Sequence, residues 1–180
     1  MSDDYGKRMG LALRAVRQMH SDTSKLLQDC DGTIGKGRPS VFGKTVTADL
    51  TYQINALQWM AEGVYRYYVV EPPGRVEGLC ACFICANGHE DFDQPILVVG
   101  QIAYSVADGQ SLRDVCDAWD LWYAFLNWNE DRRLGEVLWP VPESDGRIEA
   151  VKVIGVPLYT VKGIQMVNDL MEQVRSAIRP

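Results

Sequence analysis

Residues 95–104 have the sequence Pro-Ile-Leu-Val-Val-Gly-Gln-Ile-Ala-Tyr, an almost continuous apolar run of strand length. β-Branched and aromatic residues are frequent in the run, and such residues favour extended backbone. A strand that is apolar on both faces is typical of the centre of a sheet that is covered on both sides. We therefore expect this segment to be the central strand of the fold.

Three further segments carry strand signals on either side of this run. Residues 64–70 are β-branched and aromatic and end at a Pro-Pro-Gly turn, and residues 79–86 form a second apolar stretch. Residues 148–159 follow the central run, and Pro157 restricts that part of the segment to a sheet edge or a strand end. Because short links join the first three strands, we expect them to form a meander.

Four predicted helices accompany these strands. Apolar residues spaced alternately by four and three predict helices over 7–30 and about 48–63, and Ser111 and Thr160 are suitable caps for two more. The order is therefore α-α-β-β-β-α-β-α. The helix between strands three and four is suited to a crossover, which predicts a mixed sheet of about four strands flanked by helices. We expect a single domain over 1–180, of class α+β or mixed α/β.

The composition is that of a globular protein. Apolar residues make up 47% and charged residues 23% of the 180 residues, which excludes disordered, collagen-like and rod-like classes. No apolar run approaches the ~20 residues that span a bilayer, and the first residues lack the apolar segment of a secretory signal, so we expect no membrane partner. Five cysteines, an odd number, favour reduced thiols in the cytoplasm over a disulfide framework.

The net charge of −6 is unevenly distributed along the chain. Residues 1–47 hold eight bases and five acids, a net charge of +3, so the remaining 133 residues carry −9. A negative overall field does not attract phosphate backbones, which leaves the basic segment 7–44 as the sole expected route to nucleic acid. The preferred interpretation is that the basic front docks against the acidic body of a second copy.

The first predicted helix carries an apolar stripe with the four-three spacing of helices that pair. If the later helices cover the sheet, this stripe needs a partner, and a second copy of the chain is the simplest one. We therefore expect a homodimer that uses helix 7–30 and the glycine-rich loop 31–46. The predicted interface residues are Met9, Leu13, Val16, His20 and Leu27.

An acidic loop, residues 89–93, follows the second predicted strand. The order of helix, three-strand meander, helix and strand resembles the PD-(D/E)xK nuclease-like fold, in which carboxylates hold a divalent metal that activates water. The equivalent residues here, which we name the predicted acidic site, are Glu62, Asp91, Asp93 and Gln101. Gln101 stands in place of a glutamate and nothing replaces the lysine, so the resemblance is one of topology. A hydrolase that uses Mg²⁺ or Mn²⁺ is therefore the alternative function, either active or as a relic.

Four residues of the second predicted strand and its loop carry zinc-ligand chemistry, namely Cys80, Cys82, Cys85 and His89. A strand places the first two cysteines on one face and the third on the other, whereas the ligands of a zinc site converge on one point. Cysteine also packs as a small apolar residue in buried strands. We therefore expect packing residues here and no metal.

Tryptophans are concentrated in the C-terminal half of the chain. They are candidates for the wall of an apolar small-molecule pocket, although core packing explains the helical pair at 119 and 122. The candidates are Trp119, Trp122, Trp128 and Trp139. Three carboxylates of the same predicted helix, Asp114, Asp117 and Asp120, are spaced by three residues and are expected on its solvent face.

Two motifs of phosphate chemistry are matched only in part. Residues 29–34 have the DxDGT form of haloacid-dehalogenase-type phosphotransferases, but a helical stripe precedes them where that chemistry needs a strand. Residues 37–45 approach a P-loop but hold one residue too many between the glycines. The sequence therefore favours a cytoplasmic, homodimeric binding or assembly module without catalytic activity or a cofactor.

Overall fold

The computed structural model of the chain describes residues 2–48, 63–70, 74–83, 94–126, 133–142 and 146–179. Its elements follow one another as α1 (Ser2–Thr33), β1 (Thr47–Ala48), β2 (Gly63–Val70), β3 (Arg75–Cys82), β4 (Ile96–Tyr104), α2 (Leu112–Val115), α3 (Asp120–Leu126), β5 (Val137–Leu138), β6 (Ile148–Pro157) and α4 (Ile164–Ser176). A short 3-10 turn, Leu158–Thr160, connects β6 to α4. The α+β class is confirmed.

The sheet has the strand order β1-β2-β3-β4-β6-β5, and every neighbouring pair is antiparallel. The predicted mixed sheet is therefore wrong. Tyr104, the last residue of β4, lies opposite Ile148, the first residue of β6. The connection between these strands thus starts and finishes at the same end of the sheet, so it makes no crossover.

The central strand is β4, as the sequence predicts. It pairs with β3 on one side and β6 on the other, and Leu97, Val98 and Val99 are fully buried. The meander β2-β3-β4 is also confirmed, and β6 ends at Pro157, as the proline requires.

Several predicted boundaries are wrong. Strand β3 starts at Arg75, four residues before its predicted start, because the chain turns back at Gly74, whose φ is +87°. The helix predicted from Ser111 is split into α2 and α3, since Cys116 has extended backbone. Helix α4 begins after Gly163, not at Thr160.

The predicted helix over about 48–63 lies mostly outside the described residues. At its two ends the structure has strand, because Ala48 of β1 pairs with Gly63 of β2.

The sheet separates two apolar layers. One face packs against α2 and α3, and its core contains Tyr67, Val98 and Phe125. The other face packs against α4 and the C-terminal part of α1, and its core contains Leu79 and Met171. Among the described helices, none has both the length and the apolarity needed to cross a membrane.

Glycines in the sheet let the α3 layer approach closely. A Cβ at Gly100 would lie 2.6 Å from the Leu121 side chain, and one at Gly155 would overlap the Phe125 ring. Real Cβ atoms do not approach other atoms so closely, so these strand positions require glycine for packing.

Candidate functional site

Helix α1 is unusually long for a domain of this size, and only part of it has neighbours. Its 32 residues span about 48 Å at ~1.5 Å per residue. Side chains from Asp4 to Ala15 are exposed on every side of the helix, with Gly10 half-buried, whereas Leu26, Leu27 and Cys30 are buried in the core. The first half of α1 therefore has no covering partner in the described part of the chain.

The apolar stripe runs without a break from the exposed part of α1 to the buried part. Met9 is 48% exposed and Leu13 65%, Val16 and His20 are half-buried, and Leu27 is 5% exposed. Leu27 packs within its own chain, so we leave it out of any contact surface. We use the name exposed stripe for Met9, Leu13 and Val16, which occupy the face that makes core contacts two turns further along.

The middle of the stripe marks the point where the helix meets the body. The His20 ring lies edge-on to Phe83, with 5.0 Å between ring centroids. Thr23 is buried, and its hydroxyl donates a hydrogen bond to the Met19 carbonyl over 2.8 Å. Along the chain, the helix therefore passes from a solvent-exposed to a covered environment over about one turn.

A charged network fixes the C-terminal end of α1 to strand β2. The Arg66 guanidinium donates from Nε and Nη2 to the two oxygens of Asp31, each over 2.8 Å, and the Tyr68 hydroxyl donates to Oδ1 over 2.6 Å. The Arg66 hydrogen bond is the main cause that holds the pKa of Asp31 below its ordinary value. The second aspartate of the DxDGT-like segment is therefore an anchor for the helix.

The glycine-rich loop that follows α1 packs on its own chain, at least in part. Ser40 forms a bridge with Tyr68, and the Val41 amide donates to the Tyr67 carbonyl over 2.8 Å. Phe42 packs edge-on to Tyr65 at 5.0 Å between centroids. These contacts stabilise the body, and they leave the exposed stripe as the stronger part of the predicted interface.

A groove of about 560 Å³ lies beside the middle of α1. Its apolar lining comes from Met19 and Leu26 on the helix and from Pro95, Leu158 and Val161 across from it. Charged residues of both signs also line it, namely Asp22, Lys25, Asp29 and Lys162. Met19 lies less than one turn after Val16, so the groove continues the surface of the exposed stripe. No local sequence signal indicates the groove, because its walls are distant in the chain.

Of the predicted acidic site, only Gln101 belongs to the described residues; Glu62, Asp91 and Asp93 lie outside them. Gln101 is in a polar row across the sheet, opposite Glu77 of β3 and Lys152 of β6. Its amide donates to Glu77 Oε1 over 3.3 Å, and Arg175 Nε donates to the same oxygen over 2.8 Å. Within the described segments, no three His, Cys, Asp or Glu side chains gather where they would hold a metal ion.

Of the four residues with zinc-ligand chemistry, two belong to the described part of the chain. Cys80 and Cys82 are reduced, buried thiols on the α2–α3 side of the sheet, and Cys85 and His89 lie outside the described residues. Burial raises the pKa of the Cys80 thiol above its ordinary value, which disfavours the thiolate that binds metals.

The described tryptophans lie in different environments. Trp122 is buried and Trp119 half-buried, both in the α2–α3 layer, whereas Trp139 lies against Lys152 on β6, 5.2 Å from its ammonium to the ring centroid. Trp128 lies outside the described residues. The predicted pocket wall therefore divides into a core pair and a separate Trp139.

Asp120 is completely buried, which corrects its expected place on a solvent face. Its carboxylate accepts hydrogen bonds from the Tyr104 hydroxyl over 2.6 Å, the Asp117 amide over 2.7 Å, and Arg147 Nη1 and Nη2 over 2.8 and 2.7 Å. Because α2 ends at Val115, the three aspartates do not share one helix. The spacing of the aspartates did not predict that the helix is interrupted at Cys116.

Comparison with known proteins adds no functional information, so the geometry carries the argument. No protein-family model, no curated protein and no solved structure matches the chain.

Proposed function

We propose that this protein is an assembly module without catalytic activity, and that it forms a homodimer through the exposed stripe of α1. The observation that carries the proposal is the continuity of one apolar face that is buried at Leu27 and exposed at Met9 and Leu13. Heptad spacing of this kind is the pattern by which helices pair. Left in water, such a face forgoes the free energy that burial provides.

Charge favours a second copy as the occupant of this surface. The first half of α1, residues 2–17, holds four bases and two acids, and the chain beyond residue 47 carries −9, so this half of the helix in one copy is attracted to the body of another. Arg14 and Arg17 are exposed on the same half of α1 as the exposed stripe. In a two-fold arrangement each copy supplies both the basic first half of α1 and an acidic body, so the attraction acts twice.

The groove beside α1 provides the additional area that a stable contact needs. Specific interfaces bury roughly 800 Å² on each partner, which is more than a few stripe residues supply. The groove is apolar at Met19 and Leu158 and has charges of both signs at its margin. Apolar centres with polar rims are typical of such interfaces.

A cytoplasmic location is part of the proposal. Cys30, Cys80, Cys82 and Cys116 are reduced thiols, as expected in a reducing compartment.

The test compares two charge-introducing substitutions at exposed apolar positions. Leu13→Glu removes a stripe residue, whereas Ile178→Glu changes a residue that is 89% exposed beyond α4. The loss of about 2 kcal/mol at each of two symmetric positions predicts a dimer dissociation constant about 1000-fold weaker for Leu13→Glu. We expect sedimentation equilibrium to give a dimer for the wild type and Ile178→Glu, and a monomer for Leu13→Glu at the same concentration.

Circular dichroism and thermal unfolding establish that the Leu13→Glu chain is folded. A wild-type chain that stays monomeric at all accessible concentrations overturns the proposal. If the Leu13→Glu variant dimerises as tightly as wild type, the exposed stripe is not the dimer contact.

A further inference from the structure

Part of the α4 side of the sheet is accessible to solvent. Helix α4 ends at Ser176, and past it Ala103 of β4 and Ala150 of β6 lie side by side at the sheet surface, half-buried and exposed. A hollow of about 250 Å³ occupies this position, with Trp139 as one wall and Gln101 beside the alanines. The two small side chains give the hollow its depth.

Two cations line the same hollow. Arg75 is the first residue of β3 and lies opposite Ala103, and Lys152 lies opposite Gln101, so they flank β4 diagonally. With strands ~4.8 Å apart and a rise of ~3.4 Å per residue, their α-carbons are about 12 Å apart. A compact anion fits between side chains of this length.

The carboxylate of Glu77, in the same polar row of the sheet, is hydrogen-bonded to a third cation. Both oxygens of Glu77 accept hydrogen bonds from Arg175, from Nε over 2.8 Å and from Nη2 over 2.5 Å. Burial lowers the pKa of Lys152, the positive charge of Arg75 acts in the same direction, and the negative charge of Glu77 opposes them more weakly. No described carboxylate forms an ion pair with either Arg75 or Lys152.

The Lys152 ammonium has hydrogen-bonding capacity left over. One N–H donates to the Arg175 carbonyl over 3.2 Å, and the ammonium lies 5.2 Å from the centroid of Trp139. An ammonium has three N–H groups, so it can also bind an oxyanion. The adjacent indole provides apolar area for a neighbouring group of the same ligand.

We propose that this hollow binds a small organic oxyanion, a carboxylate or a phosphate monoester, with its charge between Arg75 and Lys152 and its apolar part against Trp139. The ligand volume is limited to that of a molecule with one small ring or chain, because the hollow holds about 250 Å³. The site is independent of self-association through α1.

The test uses benzoate and phenyl phosphate as probes and benzyl alcohol as a neutral ligand of similar shape. The Trp139 indole N–H signal in a ¹H–¹⁵N spectrum, assigned with Trp139→Phe, reports on the hollow. We expect a saturable shift with at least one of the two anions, and about tenfold or more weaker binding of benzyl alcohol. The anion that binds more tightly identifies the ligand as a carboxylate or a phosphate.

Three variants and one control make the test specific. Lys152→Gln and Arg75→Gln should each weaken anion binding about tenfold, whereas Arg113→Gln, which changes an exposed cation of α2 on the other side of the sheet, should leave the affinity unchanged. Ala150→Leu should abolish the shift by filling the hollow. The proposal is overturned if neither anion gives a saturable shift, if benzyl alcohol binds equally well, or if the Gln variants bind as wild type does. The Trp139 signal can be followed whether the folded protein is a monomer or a dimer. The result of the anion titration is therefore independent of the result of the α1 dimerisation test.

Discussion

Asp120 shows at the scale of one residue how a buried charge is accommodated. Its carboxylate is inaccessible to solvent, and the Arg147 and Tyr104 side chains, together with the Asp117 amide, supply all four hydrogen bonds described for it. Removing one partner of a buried ion pair leaves the other without compensation, which costs more than the pair itself contributes. The network therefore ties α3 to the start of β6.

We predict that Asp120→Ala lowers the free energy of unfolding by about 3–5 kcal/mol, because Arg147 and the Tyr104 hydroxyl lose their acceptor. Urea unfolding followed by fluorescence measures the change. Glu149→Ala, which removes an exposed carboxylate of β6, should stay within about 0.5 kcal/mol of wild type. Equal losses in the two variants would contradict a special role for Asp120.

Asp31 predicts a pH dependence of stability. Hydrogen bonds from Arg66, then from Tyr68, place its pKa in the folded state below the ordinary value of 3.8. The unfolded chain therefore takes up the proton first as the pH falls. The stabilisation by Asp31 is complete above the unfolded pKa and is lost as the pH falls through the folded one.

We expect wild type to be more stable than Asp31→Asn near neutral pH, and the difference to narrow below about pH 4. Urea unfolding of both chains over a series of pH values gives the two curves. A difference that stays constant down to the acid limit of folding would show that the ion pair with Arg66 does not set the stability here.

At the scale of elements, local periodicity predicts what local forces determine. Strands β2, β4 and β6 and helix α1 follow from side-chain spacing within a few residues of their observed bounds. The start of β3 was missed because Arg75 and Glu77 are charged, and the burial of Glu77 depends on Arg175, almost a hundred residues away. The break between α2 and α3 also depends on tertiary contacts around Asp120.

Helix α1 gives the prediction that belongs to this scale. Deleting residues 2–15 should leave the free energy of unfolding of the isolated subunit within about 0.5 kcal/mol, because the side chains from Asp4 to Ala15 are exposed, with only Gly10 half-buried. The same deletion should abolish dimerisation. Thermal unfolding and sedimentation measure the two effects separately. A truncated chain that keeps the dimer would place the contact elsewhere, and one that fails to fold would show that the first half of α1 supports the body.

At the scale of the whole molecule, the fold class followed from the sequence but the sites did so only in part. The stripe of α1 is visible in the spacing of its residues, yet the fraction of it that stays exposed depends on where the sheet ends. The hollow proposed to bind an oxyanion is lined by residues of β3, β4 and β6 and by Trp139. None of these residues belongs to a local sequence motif that would predict a site. Antiparallel polarity likewise depends on a long connection that returns to the end of the sheet where it began.

The non-catalytic proposal makes a prediction about divalent metals. We expect millimolar Mn²⁺ or Mg²⁺ to leave the unfolding temperature of the protein unchanged relative to EDTA, since a ligand stabilises only the state that binds it. A rise with Mn²⁺ that Asp93→Ala abolishes would instead support the alternative hydrolase and its predicted acidic site. The matched control is Asp108→Ala, a carboxylate in an exposed turn.

The alkylation rates of the buried thiols report how often each apolar layer of the molecule opens. Cys30 is a buried residue of α1 on one side of the sheet, and Cys80 of β3 and Cys116, which follows α2, are buried in the layer on the other side. Burial raises the pKa of Cys30 and Cys116 to about 12, so alkylating reagents reach a reactive thiolate only when a layer opens. The alkylation rate of Cys30 therefore measures how often α1 lifts from the sheet, and that of Cys116 measures how often the opposite layer does.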